Sequence, residues 1–217
     1  MCARKAAIDC VMGKILLIAL FGPDGSGKTS ICRTLAKNHK TIGIRGTHTI
    51  ASLIARFLNK SVIFQGSDNP YFRIRIPRKM QWLWQNIEFA SIIPLIFYRF
   101  ALLPKFKAIV AERSIPDFIA WVVVTTENPR FIENVMGRFL LTLCRKQNRL
   151  IYVTASIEEL CRRRPESVRF IREQVRVYDN LAKILKASRL DTTSKTVQES
   201  VKEITSVLLV EGICQIH

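Results

Sequence analysis

Apolar residues fall into two kinds of segment that alternate along the chain. Short unbroken runs stand at 15–21, 108–111 and 150–153, with weaker ones at 41–44 and 188–191. Such runs fit strands buried on both faces of a parallel sheet. Between them the apolar positions recur at helical spacing. Residues 28–38 form one such segment, and 47–60 another, with Ile50, Leu53, Ile54, Phe57 and Leu58 in register and Thr47 placed to cap. Further helices are predicted at 115–125, 130–146, 167–186 and 197–209, and one after Ser156, which with Glu159 makes a capping box. Strands alternating with helices predict an α/β fold: a three-layer αβα sandwich around a central, roughly five-stranded parallel sheet.

Two stretches depart from this rhythm. Residues 61–78 hold Gly66, Asn69, Pro70 and Pro77 and read as a loop. Its Arg73, Arg75, Arg78, Tyr71 and Phe72 suit a base and a phosphate, and equally suit a solvated connection. Residues 79–103 are apolar almost throughout, but Glu88, Pro94 and Arg99 leave no clean run of about 18 residues, so a buried helix kinked near Pro94 is expected rather than a membrane span.

The first strand runs into Gly22-Pro23-Asp24-Gly25-Ser26-Gly27-Lys28-Thr29, and a helix follows. This is the G-x-x-x-x-G-K-[ST] phosphate-binding loop in the strand-loop-helix setting it requires. Gly22, Gly25 and Gly27 let the backbone turn and aim its N–H groups at phosphate oxygens, with Ser26 and Ser30 in the same set and the helix dipole behind them. Lys28 reaches toward the β and γ phosphates, and the Thr29 hydroxyl is a ligand for Mg²⁺. The strand at 108–111 ends in Glu112-Arg113-Ser114, where ligands of open α/β sheets gather. Glu112 there is either a partner of Mg²⁺ or an ion-pair partner of Arg113 or a lysine.

Composition changes this picture little. The 217 residues, 48% of them hydrophobic, suffice for one core. A single domain over 12–217 is expected, with a lid around 160–172 and residues 1–11 as a disordered extension. Arg4, Lys5 and Asp9 argue against a secretory signal in those residues. The six cysteines form no C-x-x-C pair, which disfavours a zinc site or a disulfide framework and points to the cytoplasm. Net charge is +17, and residues 1–111 hold 17 Lys and Arg against 4 acids. A polyanionic partner is implied; a nucleoside triphosphate meets that demand locally, while nucleic acid or an anionic surface stays open.

Taken in order over 14–209, these motifs resemble the thymidylate kinase family of P-loop nucleoside monophosphate kinases, in a divergent archaeal-type form. Asp24 sits at the acidic P-loop position that in this family contacts the acceptor sugar. Arg45 follows the second strand, where the family grips the acceptor phosphate, and Arg113 joins it. Arg162-Arg163-Arg164-Pro165 and Arg169 resemble the family's Arg-rich lid, and Thr192 and Thr193, after Asp191, its border to adenine. Two departures stand out: Glu112 and Ser114 replace the usual Asp and aromatic residue, and no Arg lies between Met80 and Tyr98 to meet the acceptor base. Gln85, Asn86 or the arginines of 73–78 are the substitutes at hand.

The resemblance implies ATP and Mg²⁺ as cofactors, dTMP as acceptor and a homodimer. Lys28, Arg113 and the lid residues Arg162, Arg163 and Arg164 would neutralise charge on the transferred group. An arginine run at a helix end also complements the helix dipole with no catalytic role. His48 reads as a first-turn helix residue, and Trp82, Trp84 and Trp121 as core. A polynucleotide 5′-kinase or RNA-linked enzyme, and a non-catalytic nucleotide-binding regulator, would carry the same P-loop.

Overall fold

The computed structural model describes residues 17–38, 42–44, 54, 76–102, 109–146, 149–165 and 168–214. Arg45, the expected helix over 47–60 except Ile54, and the loop over 61–75 lie outside the described residues, as do residues 1–16 and the side chain of Arg169. Strands β1 (Leu17–Phe21), β2 (Ile42–Ile44), β3 (Ile109–Ala111), β4 (Arg149–Thr154) and β5 (Ser188–Asp191) form one sheet in the order β2-β3-β1-β4-β5. Every pairing is parallel, with Ile18 opposite Val110 and Leu20 opposite Ile151. Side chains are described for four of these strands, β2 being the exception.

The helices are α1 (Lys28–Asn38), α2 (Gln81–Ile96), α3 (Ile115–Thr126), α4 (Val135–Arg145), α5 (Ile157–Arg163), α6 (Val168–Leu185) and α7 (Val197–Cys214). Strand side chains alternate between faces, so β1 feeds two cores. Ile18 and Leu20 pack with Ile31 and Leu35 of α1 and Val201, Ile204 and Leu208 of α7. Phe21 packs on the other face with Ile92, Phe118, Leu140 and Leu181, one from each of α2, α3, α4 and α6. Complete burial of all five β1 residues accounts for the absence of any polar position in that run.

Several elements differ from the sequence reading. The helix expected over 130–146 is a 3₁₀ turn, Pro129–Glu133, followed by α4, because Asn134 caps anew through a bond from the Gly137 N–H. Helix α7 runs to Cys214, past 209. Helix α2 contains Pro94 and continues in a wider, π-helical turn over Phe97–Leu102, with the Phe97 N–H bonded back to Ile93 and Pro94. That segment is not buried throughout: Trp82 is 67% exposed and Phe97 64%. Trp84 lies in the core and Trp121 is half-buried, donating to Glu88, so the core reading fails for Trp82. Ser156 caps α5 through the Glu159 N–H, but its own N–H goes to the Thr193 hydroxyl, and the Glu159 carboxylate takes arginines instead. Among the described residues, no helix is long and apolar enough to cross a membrane.

Candidate active site

The carboxyl ends of β1, β3, β4 and β5 bring together the P-loop, Glu112-Arg113, Ser156 and Thr192-Thr193. Gly22 leaves β1 at φ +147°, and a Cβ on it would lie 2.0 Å from the Val153 carbonyl oxygen. Only glycine allows the loop to start pressed against β4. Gly25 and Gly27 also have positive φ.

Lys28 turns its ammonium back under the loop, donating to the carbonyls of Gly22 at 2.6 Å and Pro23 at 2.7 Å and to Ser26 Oγ at 3.3 Å. Burial lowers its pKa, and the Arg113 charge adds to this, while Asp24, Asp117 and Glu112 oppose it. The Thr29 hydroxyl donates to Glu112 Oε1 at 2.6 Å. Among the described residues, Glu112 therefore meets a P-loop hydroxyl and forms no ion pair with Arg113 or a lysine. Ser30 is exposed, with its carbonyl taking the Thr34 hydroxyl.

Arg113 Nη2 donates to Asp24 Oδ1 at 2.8 Å. Gln174 of α6 grips the same residue twice, accepting from the Asp24 N–H at 3.1 Å and donating to Oδ2 at 3.4 Å. Burial raises the Asp24 pKa, but the Lys28 and Arg113 charges and these hydrogen bonds outweigh it and hold the carboxyl below its ordinary value. Beneath the loop lies Asp117, which accepts from the N–H groups of Gly22 at 3.4 Å and Ser114 at 2.9 Å and from the Tyr178 hydroxyl at 3.0 Å. Burial raises its pKa despite the nearby Lys28 and Arg113.

Asp117, Gln174 and Tyr178 had no place in the sequence reading. A signal existed for Asp117, since Ser114-Ile115-Pro116-Asp117 ahead of an apolar run is a helix-start pattern. Gln174 and Tyr178 are one helical turn apart on α6, and nothing local marks that face as directed at a loop 150 residues earlier.

The arginine run divides. Arg162 is 75% exposed and forks onto Glu159 at 2.7 and 2.8 Å. These contacts with Arg162 and Arg163 hold the Glu159 carboxyl down at about 2. Arg163 is spent on the fold: it donates to Glu159 at 2.7 Å, to the Gly25 carbonyl at 3.1 Å, and to the Thr192 hydroxyl and carbonyl at 3.2 and 2.9 Å. Arg164 is exposed, with its Cγ 3.3 Å from where a Gly25 Cβ would lie. Thr192 is buried and bonds to the carbonyls of Ser26 and Thr154, so it ties β5 to the P-loop. Thr193 binds Asp191 and Ser156. On α2, Gln85 donates to Thr126 and the exposed Asn86 to the Trp82 carbonyl, so both amides serve the helix and its packing.

Among the described residues, no three His, Cys, Asp or Glu side chains cluster to hold a metal by themselves. No family model matches the chain, and no curated protein matches it in sequence. Solved structures do match. The YorR protein of Bacillus subtilis, in complex with phosphorylated GDP, has a TM-score of 0.55 at 13% identity over 90% of this chain and 96% of its own. Deoxyadenosine kinase of M. mycoides with bound dATP gives 0.54 at 13% identity over 88% and 98%, and with bound dCTP 0.52 at 16% identity over the same shares. At these identities the likeness is one of fold: a parallel sheet flanked by helices.

Proposed function

We propose that this chain, as one domain over 12–217 preceded by an extension, transfers the γ-phosphate of ATP to a (deoxy)nucleoside monophosphate in the cytoplasm, with dTMP the first candidate acceptor. One observation supports phosphoryl transfer above the rest: Thr29 and Glu112, from different elements, meet at 2.6 Å beside the buried Lys28. A hydroxyl and a carboxylate are hard oxygen donors, and Mg²⁺ takes few protein ligands when phosphates supply others. Thr29 and Glu112 would hold that ion, which when bound neutralises charge on the β and γ oxygens. The loop amides and Lys28 would hold the donor phosphates, the Thr192-Thr193 turn would border its base, and Arg164, exposed beside Gly25, would be the lid residue that closes over the transferred group. Asp24 would accept a hydrogen bond from the acceptor's 3′-hydroxyl, and Arg45 and Arg113 would orient its phosphate.

The Asp24–Arg113 pair favours a second reading. A guanidinium held by a carboxylate at 2.8 Å has less to offer an incoming dianion, which suits an acceptor that brings a hydroxyl and no phosphate. Such an acceptor is a nucleoside, and the two deoxyadenosine kinase structures carry that activity in their name.

An ADP-release assay over nucleosides, nucleoside monophosphates and 5′-hydroxyl oligonucleotides, with ATP and Mg²⁺, decides between them. dTMP as best acceptor is the expected result. A nucleoside as best acceptor transfers the conclusion to the second reading, an oligonucleotide to a polynucleotide kinase, and ATP binding without turnover to a regulator.

A further inference from the structure

Gln174 projects from α6, 150 residues after Asp24 in the chain, and is buried. Its amide makes two bonds to that one residue: Oε1 accepts from the Asp24 N–H at 3.1 Å, and Nε2 donates to Asp24 Oδ2 at 3.4 Å. The position calls for a side chain that accepts and donates at adjacent atoms, which an ionised carboxylate, an ammonium or an alkyl chain cannot do. The first bond commits the Asp24 N–H to a side chain rather than to a phosphate, as Asp117 commits that of Gly22, so the opening turn of the loop is fastened by α3 and α6.

The second bond sets the carboxylate. Arg113 holds Oδ1 at 2.8 Å and Gln174 holds Oδ2, so the plane of the group is fixed at both oxygens. A carboxylate has about four lone-pair sites, and 16% of the Asp24 side chain stays in solvent. Of the two oxygens, Oδ2 has the longer and weaker bond, which leaves it the capacity for a further donor. We infer that Gln174 is a positioning residue for the acceptor: it turns Oδ2 of Asp24 toward the 3′-hydroxyl of the acceptor sugar and so sets the preference for an acceptor that carries that hydroxyl. The inference rests on the phosphoryl-transfer reading above, and it holds for a nucleoside and a nucleoside monophosphate alike, since both bring the same sugar.

The test is a double cycle of side chain against ligand. ADP release by the full chain is measured with the best acceptor of the panel above and with its 3′-deoxy analogue, in the native protein, Gln174→Met and Gln174→Glu. The ratio of kcat/KM for the two acceptors cancels any damage to the loop that falls on both. In the native protein it should favour the hydroxyl by at least ~10-fold, since the analogue leaves a buried oxygen unpaired. Gln174→Met, of similar length but with neither donor nor acceptor, should reduce the preference to about threefold or less. Gln174→Glu should do the same at about pH 8, where two carboxylates face one another, and regain the native ratio toward about pH 5.5, because a protonated carboxyl again offers one donor and one acceptor. The groups that bear on this titration are Asp24 itself, Lys28 of α1, Arg113 after β3, Asp117 of α3 and Tyr178 of α6, with Arg163 and Arg164 against Gly25. All of them are present in the native protein, whose ratio at each pH is the reference. Comparing Gln174→Glu with itself at two pH values decides the matter even where Gln174→Met folds poorly. A native ratio near one, a native preference kept in both variants, or a loss in Gln174→Glu that acid does not restore would each overturn the inference and leave the proposed function standing. A native chain that releases no ADP with any acceptor overturns that function, and this inference with it.

Discussion

Lys28 is the residue with the most to lose. Its ammonium is held under the P-loop by two carbonyls and a hydroxyl, so Lys28→Ala should abolish the rise in melting temperature produced by ATP and Mg²⁺, because a ligand that binds only the folded state stabilises it by mass action. A full thermal shift in that variant would remove the phosphate site from this loop. Gly22→Ala should destabilise the fold by ~3 kcal/mol or more, through the close approach to Val153 and the positive φ together, as denaturant titration would show. The arginine run separates by residue. Arg163→Ala should weaken ATP binding, because Arg163 fastens Gly25 to Thr192, whereas Arg162→Ala should change ATP affinity little; calorimetric titration distinguishes them. Arg164→Ala should act on kcat instead, as a residue recruited when a lid closes does. Asp24 has a lowered pKa, so its ionised form stabilises the folded state. That contribution is complete above the unfolded carboxyl value and is lost as pH falls through the lower folded one. Asp24→Asn should therefore lessen the loss of stability on acidification, measured by melting temperature across the acid range. Asp117, raised by burial, runs the other way, favouring the fold most when protonated.

At the scale of elements, α2 joins a helix-breaking residue to a good helical register. Pro94 has no N–H to give to the preceding turn, and the chain widens into a π-helical turn just after it. Pro94→Ala should stabilise the fold by ~1–3 kcal/mol, read from the midpoint of denaturant unfolding. A loss of stability would mean that the wider turn is itself needed for packing. Helix α6 shows the reverse relation between sequence and role. Its apolar stripe predicted its length to within a residue at each end, yet its importance to the site comes from Gln174 and Tyr178, which reach Asp24 and Asp117. The capping pattern at Ser156 was legible and half realised, because Glu159 had stronger partners in two arginines than in a backbone N–H.

Across the whole molecule, charge opposes compaction, so added salt should raise the melting temperature of the ligand-free protein while weakening its affinity for ATP. The alternation of apolar runs was enough to read a parallel αβα sandwich, since burial on both faces of a strand leaves no room for polar positions and helical spacing marks what lies between. The P-loop was legible for a similar reason: its glycines, Lys28 and Thr29 are consecutive, and chemistry confined to one turn is written in one stretch of chain. What the residues do with one another was not legible. Glu112 meeting Thr29, Asp24 holding Arg113, and Arg163 being consumed by Gly25 and Thr192 are contacts across 83, 89, 138 and 29 residues. They depend on which strand lies beside which, and the order β2-β3-β1-β4-β5 is set by how the two cores pack. Local pattern records which face of a segment is buried; the partner that waits on that face is chosen only when distant segments meet.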